Sequence, residues 1–127
     1  MPKTTAFANA LLDHIRGGAT YTPPAQLYVA LYTVSPTVAG GGTEVSGGSY
    51  ARQAINFATA ASGKMANNAR IDFPTATTNW GTAVAVVILD DPTAGNMLQF
   101  DSLPVSRAVL AGDQPYFLTG EIEWDEA

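Results

Sequence analysis

The chain has 127 residues, a formal net charge of −5 and no cysteine, a length that suits one domain with a modest core. Lacking cysteine, it has neither disulfides nor thiolate chemistry, and no run of Lys or Arg is present to neutralise nucleic-acid phosphates. Charged residues make up only 13% of the chain against a usual ~25%, so its 21 Ala, 14 Thr and 12 Gly must cover much of the surface.

Such a surface is cheap to desolvate against neighbouring subunits, and the expectation that follows is a homo-oligomer, a trimer with closed symmetry. The charges are also uneven. Residues 1–70 carry Lys3, Arg16, Arg52, Lys64 and Arg70 against Asp13 and Glu44, whereas residues 71–127 carry Arg107 against nine carboxylates. That asymmetry hints at head-to-tail electrostatic contact.

From the N-terminus, Phe7, Leu11 and Ile15 recur at i, i+4 and i+8 with Ala8 and Leu12 beside them, which predicts a helix with one apolar stripe within residues 1–18. Thr4 or Thr5 suits the N-cap, and Gly17-Gly18 the stop. The same segment is not a signal peptide, because Asp13, His14 and Arg16 interrupt any apolar run, and no stretch approaches the ~20 apolar residues of a membrane span. Synthesis in the cytoplasm and no membrane partner are the corresponding expectations. At about three turns the helix needs something to pack on, in its own chain or a neighbour.

Beyond Pro23-Pro24 the pattern turns to strands. Gln26–Val34 alternates Leu27, Val29 and Leu31 with Tyr28, Ala30 and Tyr32. Residues 35–48, punctuated by Pro36, Gly40–Gly42 and Gly47-Gly48, are predicted to be a mobile loop. Strands are predicted at Ser49–Phe57 and at Ala69–Phe73, the latter stopped by Pro74. Thr82–Leu89, apolar on both faces, reads as a central strand covered on each side. Pro92 to Asn96 reads as a turn of hairpin type, followed by strands at Met97–Leu103 and Pro104–Leu110. A last strand, Tyr116–Trp124, would point Tyr116, Leu118, Ile122 and Trp124 inward. One leading helix and about seven short strands predict a mainly β fold, a single antiparallel β-sandwich of jelly-roll or immunoglobulin-like type spanning residues 1–127.

Catalytic equipment is sparse. His14, the sole histidine, falls near the helix C-terminus, where a protonated imidazole meets the dipole favourably. Asp90-Asp91 enters a turn and lacks the ligand spacing of a calcium loop. Glu121 and Glu123 share an outward strand face rather than a cleft. Gly40–Gly42 lacks the Lys-Ser/Thr of a phosphate loop. The reading is non-enzymatic, with no catalytic residue, metal or cofactor. Arg52 suits an acidic partner across the sheet or across subunits.

Two segments, GTEVSGGSYARQAINF from Gly42 to Phe57 and IDFPTATTNWGTAV from Ile71 to Val84, preceded by LYVALYTVSPT, resemble a family of small virion proteins of tailed bacteriophages, described as head-decoration or tail-fibre-like proteins. The resemblance runs from about Leu11 to Trp124 and implies a virion component. Because the family repeats the NWGT segment, it implies a core position for Trp80 beneath a loop; an exposed interface anchor is the other reading. The chain has no fibrous repeat or coiled-coil heptads. Capsid decoration is therefore the leading expectation, with the major capsid protein as partner. A tail-fibre or tail-tip module binding a host glycan or surface protein is the alternative. Candidate interface residues are Phe7, Leu11, Ile15, Tyr28, Tyr32, Gly40, Gly41, Gly42, Glu44, Arg52 and Trp80.

Overall fold

The computed structural model describes residues 2–126. One helix, α1 (Thr5–Ile15), precedes nine strands: β1 (Leu27–Val34), β2 (Thr43–Glu44), β3 (Gln53–Ile55), β4 (Lys64–Ala66), β5 (Ile71–Asp72), β6 (Gly81–Leu89), β7 (Met97–Val109), β8 (Tyr116–Phe117) and β9 (Glu123–Asp125). The principal sheet runs β2-β1-β6-β7, and β3 shares with β2 the outer edge of β1. All pairings are antiparallel. Two small ladders, β4-β9 and β5-β8, stand apart from it. The fold is thus mainly β with one short helix and no closed barrel, as the sequence predicts.

β6 holds the centre because both its faces are apolar. Opposite Val29 and Leu31 of β1 lie Ile88 and Val86, while Ala30 and Tyr32 oppose Val87 and Ala85. The first set joins Phe73, Trp80, Ile122 and Trp124 from the flanking segments in one core. The second set makes a smaller core with Leu89 and Phe100 on the opposite face. The short ladders therefore act as the second layer of the sandwich, laying Ile71, Ile122 and Trp124 on the first face.

The helix starts where the sequence places it. The Thr4 Oγ1 accepts from the Phe7 N–H at 3.4 Å and donates to the Met97 carbonyl at 2.8 Å, so one buried hydroxyl caps the helix and ties it to β7. Thr4→Ala removes both bonds and leaves the half-buried Met97 carbonyl short of a donor. It is expected to cost about 1–2 kcal/mol, read from urea unfolding. Gly17, at φ +81°, ends the helix in the left-handed region that glycine enters without a Cβ penalty. Phe7 docks the helix by edge-on contacts with Trp124 and Tyr21.

Several boundaries differ from expectation. The segment 35–48 is not a free loop: it contains β2, its Val38 carbonyl accepts from the Thr5 N–H, and Pro36 and Val45 are buried. The second predicted strand contracts to Gln53–Ile55 and the third to Ile71–Asp72. β4, unread in the sequence, pairs with β9. The two strands predicted over Met97–Leu110 are one, β7, with an excursion at Leu103–Ser106, where four residues stand against Val84 alone. The predicted final strand splits into β8 and β9 around a turn with Gly120 at φ +81°. Tyr116 and Leu118, expected inside, are each 51% exposed, while Phe117 packs on the core, because Ile71 opposes Phe117 across the β5-β8 ladder.

Candidate interaction site

The two segments that carry the family resemblance fold against each other. Gly47 and Gly48 let the chain lie directly on the second segment: a Cβ at Gly47 would come within 2.5 Å of Trp80 Cδ1, and one at Gly48 within 2.0 Å of Thr77 Oγ1. Trp80 Nε1 donates to the Gly48 carbonyl at 2.9 Å, and the Gly48 N–H donates to Thr78 Oγ1 at 2.7 Å. The Tyr50 ring meets the Trp80 ring edge-on, with centroids 5.2 Å apart. Trp80 is buried under the loop and is not an exposed anchor.

Beside it lies a closed polar cluster. β2 pairs with Tyr32 and Val34, and β3 with Leu27 to Val29, which leaves a gap on the β1 edge between them. Tyr50 fills that gap: its Oη accepts from the Leu31 N–H at 3.1 Å and donates to a Glu44 carboxylate oxygen at 2.7 Å. Arg52 grips the same carboxylate with two bonds, Nε to Oε2 at 2.9 Å and Nη2 to Oε1 at 2.8 Å. Its Nη1 donates to the carbonyls of Asp91 and Ala94. Burial raises the Glu44 carboxyl, but the hydrogen bonds from Arg52 and Tyr50 outweigh it and hold the group below its ordinary range. Burial, and then the bond to Glu44, push the Tyr50 phenol far up. Arg52 has found its acidic partner across the sheet, inside the chain.

The expected interface residues therefore separate. Phe7, Tyr32 and Trp80 are buried, and Arg52 and Glu44 are engaged with each other; their packing is internal, which corrects the expectation that these five residues face a neighbour. Leu11 and Tyr28 are half-buried, whereas Ile15, Gly41 and Gly42 are exposed and Gly40 is intermediate. His14 lies in the last turn of α1, as expected. Its Nδ1 accepts from the Tyr21 N–H at 3.0 Å. The Asp90 and Asp91 carboxylates cap the turn they enter: Asp91 accepts from the Thr93 and Ala94 N–H groups, and Asp90 from that of Asn96. Glu121 lies in the turn and accepts from the Leu118 N–H, not beside Glu123 on a strand face. The halves of opposite charge are joined within the chain, Lys3 to Glu126 and Lys64 to Glu123. That weakens the case for head-to-tail attraction between copies.

What the sequence reading missed is a groove of about 410 Å³ between the outer half of β7 and residues 114–123. Its floor is the sheet, at Ala83, Val86 and Val109; Leu103, Pro104 and Val105 form one wall, and Tyr116 and Leu118 the other. Val105 is 69% exposed. Asp101, Arg107, Glu121 and Glu123 also line it. Tyr116 is held in place by the Arg70 guanidinium, 4.2 Å above its ring. Exposed apolar side chains framed by charge, on a strand at the open side of a sheet, suit contact with another protein surface. The signal was present as Leu-Pro-Val among Ser and charged residues, but nothing local says that residues 114–118 face it.

Among the described residues no group of three or more His, Asp or Glu is gathered to hold a metal ion, and no helix is long and apolar enough to cross a membrane. A small antiparallel β protein whose polar clusters are closed on themselves, and whose open feature is a groove for contact, has the makings of a structural part. The family described as Podophage GP4 fiber I protein gp80 matches residues 2–125, and the chain belongs to that family. It is accordingly a phage virion structural protein of the fibre-like kind. No curated protein matches the chain.

Proposed function

We propose that the chain is a non-enzymatic building part of the phage fibre, acting by protein contact through the groove between β7 and residues 114–123. The observation that carries this reading is the fibre family's match over residues 2–125, which favours the tail-fibre alternative over the capsid decoration that missing fibrous repeats had put first. The structure supports a contact role: His14, Asp90, Asp91 and the Glu44–Arg52 pair are each committed to holding the backbone or one another, whereas Val105, Tyr116 and Leu118 of the groove stand open.

Gold labelling of intact virions with antibody raised against the purified chain tests the reading. Label is expected on the tail or its fibres, at low copy number per particle. Label spread over the head shell, together with saturable co-sedimentation of the purified chain with mature heads, would overturn it in favour of decoration.

A further inference from the structure

We infer that the outer half of β7 is a self-complementary docking strip for a second copy of this chain, related to the first by a two-fold axis at Pro104. The residues around that proline read the same from either end in chemical type. Leu103 answers Val105, Ser102 answers Ser106, and Asp101 answers Arg107 with opposite charge. An isologous contact sets one strip against its own reverse, so apolar would meet apolar, serine would meet serine, and each Asp101 would face the other copy's Arg107. Three-fold or head-to-tail contacts place different patches together and would make no use of the symmetry.

The structure leaves this strip open. β7 ends the strand order of the principal sheet, and the N-terminal residues cover its outer edge only at Leu98 to Phe100, through the Thr4 to Leu98 and Phe100 to Pro2 hydrogen bonds and the Lys3–Gln99 bridge. Beyond that point, residues 101–108 are exposed except for half-buried Leu103. The excursion at Leu103–Ser106 carries the apolar centre outward, with Val105 mostly in solvent. Neither the Asp101 carboxylate nor the Arg107 guanidinium has an ion pair or hydrogen bond to another described residue, although the other basic side chains are all paired. Pro104 has no N–H to offer a ladder, so the contact rests on side chains, with backbone bonds at most on the flanks. Proline and an excursion on an open strand also guard against unwanted pairing; that is the competing explanation, and it requires a monomer. A strip this short buries less than the ~800 Å² per partner of a standard interface, so the dimer is a weak one, with micromolar dissociation.

Charge swaps decide the matter. Sedimentation velocity of the full chain, from roughly 1 to 500 µM, is expected to show a reversible monomer–dimer equilibrium. Asp101→Arg and Arg107→Asp each place like charges together at both ends of the strip, and each should weaken the dimer about tenfold, since two exposed pairs turn from attraction to repulsion. Both side chains are exposed and unpartnered, so circular dichroism and unfolding midpoints should match the unaltered chain. An equimolar mixture of the two variants restores both opposite-charge pairs in the mixed dimer and should associate as tightly as the unaltered chain. A monomer across the whole range overturns the inference. So does association that neither variant alters, and so does a mixture no tighter than the separate variants.

Discussion

Replacing Trp80 with alanine is expected to lower the unfolding free energy by about 4 kcal/mol, inside the ~3–5 kcal/mol range for truncating a buried large aromatic. The residue is 3% exposed; Gly47 is set so closely against the indole that a Cβ would clash with it, and the next residue, Gly48, is pressed equally closely on Thr77. The surrounding chain therefore cannot collapse into the space, and the cavity persists. The indole also holds the Gly48 carbonyl, so its loss frees the loop that carries Tyr50 into the β1 edge. Trp80→Phe separates the two contributions. It keeps most of the packing with Tyr50 but not the hydrogen bond, and should cost about half as much. Urea unfolding followed by circular dichroism reads both. If Trp80→Ala moves the midpoint no more than an exposed substitution does, the two segments do not form the single unit described here.

The parts of this fold that were legible in the sequence are those whose neighbours are fixed by local pattern. Gln26–Val34 shows strand alternation, and Thr82–Leu89 is apolar on both faces; a strand of the latter kind has nowhere to go but the centre of a covered sheet. Thr4 and Gly17 bracket the helix by capping chemistry alone. Alternation misled where a turn preserved its rhythm. Tyr116, Leu118, Ile122 and Trp124 all fall on one phase of a two-residue alternation, yet Thr119-Gly120 breaks the strand between the two pairs, and only the second pair reaches the core. The pairing of Phe117 with Ile71 decides which face of β8 is inward, and that partner lies over forty residues away. Arg52 was legible as a residue seeking an acid. That its acid is Glu44, fixed through Tyr50 in a gap between two short strands, depends on β2 and β3 sharing one edge, which no periodicity encodes. The groove is the extreme case, since its walls come from residues 103–105 and 114–118 and meet only through tertiary structure.

Breaking the Glu44–Arg52 pair should produce the second large effect, and one with a characteristic pH dependence. Arg52→Ala is expected to destabilise the protein by about 3 kcal/mol at neutral pH, because removing one partner leaves a largely buried carboxylate uncompensated and releases the Asp91 and Ala94 carbonyls. The Arg52 side chain is only 8% exposed and that of Glu44 25%, so solvent screens the pair far less than a surface bridge. Arg52→Lys should recover part of the loss, since an ammonium supplies charge but not the two-pronged grip. Glu44 has its carboxyl held below the ordinary value of 4.5. Its contribution is therefore fully present above that value and fades as pH falls through the lower, folded-state pKa. In Arg52→Ala the sign reverses, because burial is then opposed only by the Tyr50 hydroxyl and protonation of Glu44 favours the folded chain. The stability gap between the unaltered protein and Arg52→Ala should consequently narrow as the pH is taken from 7 to well below 4.5. Glu44→Gln, which cannot titrate, should approach the unaltered protein over the same range. Urea unfolding at a series of pH values measures all three curves. A gap that stays constant with pH would mean that Arg52 acts through the two carbonyls and its packing, and that the carboxylate contributes nothing to the fold.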